Sequence, residues 1–127
     1  MSASGDTPVE TILLVEDEPS VRRLVAASLE RAGYRVLEAR DGSEGVALFE
    51  AHAPAVDLLI TDVRMPEMDG PSLIRELRAR APGLRVLCVS GYPGSAVDLT
   101  HTEHFLAKPF SKYQLLATVR RVLGHRP

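Results

Sequence analysis

Leu58-Leu59-Ile60-Thr61-Asp62-Val63-Arg64-Met65-Pro66-Glu67-Met68-Asp69-Gly70 decides how this chain is read. An apolar run ends abruptly in a carboxylate, and the loop that follows is stiffened by Pro66 and released by Gly70. A parallel strand buried on both faces reads as such a run, and open α/β sheets place their ligands at the carboxyl ends of their strands. Asp62 would then stand at the mouth of a cleft. Strands also end in Asp for turn chemistry alone. The reading therefore depends on whether other strand ends bring partners to the same place.

Working outward, Thr11 to Val15 is a second apolar strand, ending in Glu16-Asp17-Glu18-Pro19. Pro19 can open a helix, and Val21, Leu24, Val25, Leu29 and Ala32 keep one apolar face at the 3.6 period until Gly33. Tyr34 to Ala39 is a short strand. Asp41 and Glu44 have the spacing of a capping box for a helix through Val46 and Phe49, which Ala53-Pro54 closes. After the central strand, Pro71 starts a third helix that Pro82-Gly83 ends. Leu84 to Val89 is a strand ending at Ser90-Gly91. Tyr92 to His104 is irregular, with Ala96, Val97 and Leu99 as its apolar anchors, and reads as one or two helical turns. His104 to Ala107 is the last strand, ending at Lys108-Pro109, and Ser111 with Gln114 caps a final helix.

Strands and helices alternate along the whole chain, which calls for an α/β fold with a doubly wound five-stranded parallel sheet and helices on both faces. The flavodoxin-like order 2-1-3-4-5 is the natural arrangement, and it sets the ends of the first and third strands side by side. Residues 1–10 read as a disordered leader, 11–124 as one domain and 125–127 as a tail. At 127 residues, 45% hydrophobic and 25% charged, the chain fits a single core. It has no apolar run of the ~20 residues a membrane span needs, and no signal peptide pattern at its start. Cys88 is the one cysteine, a small buried hydrophobe in an apolar strand. These features fit a cytoplasmic setting. The net charge of −2 argues against direct nucleic-acid binding. Arg75, Arg78, Arg80, Arg120 and Arg121 recur at helical spacing and read as solvated faces.

Four of the five strands end in a residue with useful chemistry: Glu16 and Asp17, Asp62, Ser90, and Lys108. Each has a bland reading alone: helix-start acids, a turn acid, a turn serine, a solvated lysine. The bland readings do not explain why all converge on one edge of one sheet. Crowded carboxylates repel one another unless a cation sits among them. Hard oxygen ligands suit Mg²⁺, which takes one or two carboxylates and keeps several waters. No Cys/His cluster offers a zinc site; His52, His101, His104 and His125 fall in unrelated segments. A carboxylate beside Mg²⁺, faced by a hydroxyl and an ammonium, is a site for accepting a phosphoryl group, with Asp62 as nucleophile.

Val15-Glu16-Asp17-Glu18, Thr61-Asp62-Val63-Arg64-Met65-Pro66, Met68-Asp69-Gly70, Ser90-Gly91-Tyr92 and Lys108-Pro109-Phe110 together resemble the receiver domain of two-component response regulators. The resemblance runs from about Thr11 to Leu123, and the wording around Ser90 and Lys108 looks most like receivers attached to hybrid histidine kinases. It implies that Asp62 accepts a phosphoryl group from the phosphohistidine of a histidine kinase or histidine phosphotransfer protein. It implies Mg²⁺ bound by Asp17, Asp62 and the Arg64 backbone carbonyl, with Glu16 acting through water. Ser90 would hydrogen-bond the phosphoryl group, Lys108 would pair with it across a cis Lys108–Pro109 bond, and Phe105 would be the switch aromatic that follows Ser90. Arg64 and Tyr92 occupy positions that tune phosphate lifetime, and the fourth-helix to fifth-helix face is where such domains form homodimers.

The chain departs from the family pattern in having Ser90 for the usual Thr, Phe105 for the usual Tyr, and a shorter, more polar stretch before Lys108. Such a module catalyses its own phosphorylation and dephosphorylation but is mainly a switch. With nothing after Pro127, it reads as a free-standing receiver or as a piece of a longer chain. A haloacid-dehalogenase-type phosphohydrolase would want a second acid where Arg64 stands. A flavodoxin-like flavin binder would need a phosphate loop where Glu16-Asp17-Glu18 would repel the phosphate. A pseudo-receiver would usually lack the acid or the lysine, and both are present.

Overall fold

The computed structural model describes residues 9–91 and 104–124. Its elements run β1 (Thr11–Val15), α1 (Pro19–Arg31), β2 (Arg35–Ala39), α2 (Gly42–His52), β3 (Val56–Asp62), α3 (Gly70–Arg80), β4 (Arg85–Ser90), β5 (His104–Ala107) and α4 (Lys112–Val122). The five strands form one parallel sheet in the order β2-β1-β3-β4-β5. This is the expected doubly wound arrangement, with strand and helix bounds within a residue or two of the sequence reading. The irregular stretch, with Ala96, Val97, Leu99 and His101, lies in 92–103, outside the described residues. So do most of the expected leader (1–8) and the tail (125–127).

The central strands β1, β3 and β4 are almost wholly buried and largely apolar because the sheet is covered on both faces. Side chains alternate along a strand, so Ile12, Leu14, Ile60 and Leu87 meet α1 and α4 through Val25, Leu29, Leu115 and Val119 on one face. On the other face Leu13, Val15, Leu59 and Cys88 meet α2 and α3 through Phe49, Leu73 and Leu77. Cys88 is buried, as its apolar neighbours indicated. Among the described residues no helix is long and apolar enough to cross a membrane.

The helix starts are set by local chemistry. Glu18 caps α1 by accepting from the Ser20 N–H at 3.1 Å, ahead of Pro19 at the first turn. Ser111 and Gln114 form the full reciprocal box on α4. At α2, Asp41 accepts from the Glu44 N–H at 2.8 Å, but Glu44 reaches past Asp41 to the Arg40 N–H at 2.6 Å, so the expected box is one-sided. The cap of α3 is Asp69, which accepts from the Ser72 N–H, and the helix opens at Gly70 rather than Pro71. Arg78 also departs from the solvated-face reading. It is half-buried, and its Nε and Nη2 both donate to the Leu84 carbonyl, tying α3 to the start of β4.

Candidate functional site: an acid cluster closed by a lysine

The carboxyl ends of β1, β3 and β5 meet at one edge of the sheet. Val15 pairs with Thr61 between β1 and β3, so the residues after them, Glu16 and Asp62, come out side by side. Ser90 ends β4, one strand over, and pairs with Ala107 of β5, which delivers Lys108. The strand order thus gathers residues separated by up to 92 positions in sequence.

Lys108 closes the cluster. Its Nζ donates to Glu16 Oε1 and to Asp62 Oδ2, both at 2.8 Å. The other oxygens are held as well: Glu16 Oε2 accepts from the Glu18 N–H at 3.0 Å, and Asp62 Oδ1 accepts from the Arg64 N–H at 3.2 Å. Asp17 is exposed beside them, and one oxygen from each of Glu16, Asp17 and Asp62 lies within 4.8 Å of the others. Glu16 is only 3% exposed and Asp62 9%. Burial pushes the Glu16 carboxyl up despite the opposing pull of Lys108 and the Glu18 N–H. Burial also weighs against the Lys108 ammonium, but its hydrogen bonds to Asp62 and Glu16 outweigh this and leave it above the usual lysine value. Three acids share one cation here, and an all-oxygen donor set of this kind suits a hard cation.

The other sequence-derived positions fall around this cluster. Ser90 is 1% exposed, and its carbonyl accepts from the Lys108 N–H at 2.8 Å. The Lys108–Pro109 bond is cis, as the resemblance implies, and so is Ala53–Pro54, which the sequence reading did not anticipate. Phe105 is 36% exposed on β5, the sheet-edge strand, opposite Cys88. Tyr92 lies outside the described residues, as does the fourth-helix part of the expected dimer face. Gly70, the first residue of α3, has a stringent steric role. A Cβ there would lie 2.6 Å from the Asp62 carbonyl oxygen, so only glycine lets α3 start this close to Asp62.

Two hollows flank the cluster. One, of about 570 Å³, is lined by Val63, Arg64, Met65, Pro66 and Asp69. The other, of about 500 Å³, is mostly apolar and runs from Leu24 and Val21 of α1 to Lys108 and Phe110. Leu24 is 70% exposed, a large apolar side chain that lines the same hollow as Lys108. Sequence reasoning placed Leu24 on the buried face of its helix. It missed Arg22, which is buried behind Glu16.

Residues 12–120 match the model of the response regulator receiver domain. The chain belongs to this family. It is 44% identical over 117 residues to the sensor kinase CckA of Brucella abortus (strain 2308), covering 89% of this chain but 12% of the relative's length. Among solved structures, the receiver domain of the hybrid histidine kinase CckA aligns with a TM-score of 0.79 and 40% identity over 89% of this chain and 98% of that one. The response regulator TrrA of Thermotoga maritima, solved in complex with Mg²⁺-BeF, aligns with a TM-score of 0.80 and 27% identity over 90% of this chain and 99% of that one. The receiver domain described here is thus a component of two-component signalling, and its acid cluster is consistent with Mg²⁺ and aspartyl phosphorylation.

Proposed function

We propose that this receiver domain is a Mg²⁺-dependent phospho-accepting switch, with Asp62 as the acceptor and a histidine kinase or histidine phosphotransfer protein as the donor. The observation that carries the reading is the Lys108 ammonium held between Asp62 Oδ2 and Glu16 Oε1, with Asp17 completing the acid cluster. An Asp62 oxygen forms the new O–P bond as the N–P bond of the donor breaks and its electron pair returns to the imidazole. Lys108 can then exchange one carboxylate contact for a phosphoryl oxygen without leaving its place. The Ser90 hydroxyl binds a second phosphoryl oxygen, and Phe105 changes its packing as Ser90 moves. Hydrolysis of the acyl phosphate resets the site, at a rate that Arg64 and Tyr92 tune.

Asp17, Asp62 and the Arg64 carbonyl would hold the Mg²⁺, with Glu16 reaching it through water; the all-oxygen donor set fits a hard cation. When bound, the cation supplies charge neutralisation for the transferring oxygens. The Mg²⁺-BeF complex of the similar TrrA supports this assignment. The apolar hollow beside Lys108, edged by exposed Leu24, suits a donor protein whose histidine has to approach Asp62 from that side. The likeness to the CckA receiver supports a place beside a hybrid histidine kinase.

Intact-mass measurement with a small acyl-phosphate donor tests the reading. The wild-type chain is expected to gain one phosphoryl group with Mg²⁺ present and none after chelation, and Asp62→Asn is expected to gain none. Equal labelling of wild type and Asp62→Asn would remove Asp62 as the acceptor.

A further inference from the structure

Arg22 sits on α1 with its side chain 11% exposed. Its Nη1 donates to the Glu16 carbonyl at 2.9 Å, and its Nε lies 3.4 Å from Glu38 Oε1 of β2. The Glu16 N–H donates to the Ala39 carbonyl at 3.1 Å. The Glu16 residue is therefore held on both sides of its backbone by neighbouring elements, while its carboxylate is held by the Glu18 N–H and Lys108. The carbonyl that Arg22 holds belongs to the peptide joining Glu16 to Asp17. Rotating that peptide would swing the Asp17 carboxylate away from Asp62 while leaving the sheet intact. A buried guanidinium costs desolvation, and here its donors go to this peptide and to one balancing carboxylate.

We propose that Arg22 is a positioning residue for the acid cluster: it fixes the Glu16–Asp17 peptide so that Asp17 and Asp62 present their oxygens to one cation. Arg22 bonds the Glu16 carbonyl and none of the three carboxylates of the cluster, so its effect is on cation affinity and not on the transfer step. The inference rests on the cation-dependent reading above. Charge alone would act in the opposite direction, since deleting a cation near three acids strengthens their pull on Mg²⁺. Removing Arg22 and Glu38 together cancels that effect and leaves only the loss of the hydrogen bond.

Mn²⁺ titration followed by electron paramagnetic resonance reads affinity directly, beside labelling by the small acyl-phosphate donor at low and saturating Mg²⁺. Arg22→Met/Glu38→Gln is expected to bind Mn²⁺ about tenfold more weakly and to label within about twofold of wild type at saturating Mg²⁺. Glu38→Gln alone removes one negative charge and keeps the Arg22 hydrogen bond to the Glu16 carbonyl, so it is expected to weaken binding less than the double variant does. Arg22→Lys keeps the charge but loses the fork geometry, and is expected to bind about threefold more weakly; it decides the matter if the double variant does not fold. A folded double variant, or failing that Arg22→Lys, with wild-type affinity would overturn the proposal. Failure of the underlying reading looks different: wild type itself would bind no Mn²⁺, or Asp17→Asn would bind as well as wild type.

Discussion

Lys108 neutralises carboxylates that would otherwise face one another across the strand ends. Its ammonium is part-buried and bonded to both Glu16 and Asp62, so its removal leaves two acids, both nearly excluded from solvent, without their cation. Because its value is raised in the fold, its contribution is complete below the ordinary lysine value of 10.5 and fades only as pH rises through the raised one. Lys108→Met is therefore expected to cost about 1–3 kcal/mol at neutral pH without divalent cation. Urea denaturation in chelator and in Mg²⁺ checks this. The deficit should shrink in Mg²⁺, because the cation then performs the neutralisation; a variant as stable as wild type in chelator would count against it. Lys108 was legible in the sequence because it follows an apolar strand and precedes a proline. Arg22 was not, for it stands at helical spacing among ordinary surface arginines. Its burial depends on the side-by-side placement of β1 and β2, with Glu38 one strand away, which no local pattern encodes.

Strand and helix order was legible because fully buried parallel strands are short, apolar and bounded by Gly, Pro and acids. Where hydrogen bonds between near neighbours decide an end, the pattern was ambiguous by a residue. Glu44 chose the Arg40 N–H over the Asp41 N–H, and α3 opened at Gly70 under the Asp69 cap instead of at Pro71. The start of α3 is also where element geometry meets the site, since the Gly70 N–H donates to the Val63 carbonyl at 2.9 Å just past Asp62. Gly70→Ala puts a methyl group 2.6 Å from the Asp62 carbonyl oxygen. It is expected to destabilise the fold by about 1–3 kcal/mol. It should also slow labelling by about tenfold, because the displaced backbone belongs to Asp62, the proposed acceptor. Gly83 gives the contrast, with open space around a built Cβ and no left-handed backbone. Gly83→Ala is expected to be neutral or to stabilise by up to about 1 kcal/mol, with labelling unchanged. Denaturation midpoints and labelling rates of the pair together check that the effect follows the Asp62 contact and not the loss of glycine as such.

At the scale of the whole molecule, the site exists only when the sheet is assembled. The ends of β1, β3 and β5 contribute its charged groups, and the bonds between them join residues 46 and 92 positions apart. In the unfolded chain these acids are scattered, so a cation that needs all of them binds the folded state alone. Its full binding free energy then appears as added stability. Free Mg²⁺ at about ten times its dissociation constant should add about 1.4 kcal/mol, which for a domain of this size is a rise of roughly 5 °C in the thermal midpoint. Asp17→Asn removes one exposed acid at the rim without disturbing either core face, so it should fold at least as well as wild type in chelator and respond little to Mg²⁺. Calorimetric scans of the two chains across a Mg²⁺ series separate this from a general salt effect, which would move both midpoints together. A wild-type midpoint that is unmoved by Mg²⁺ would mean that the three acids do not act as one site, however close their oxygens lie.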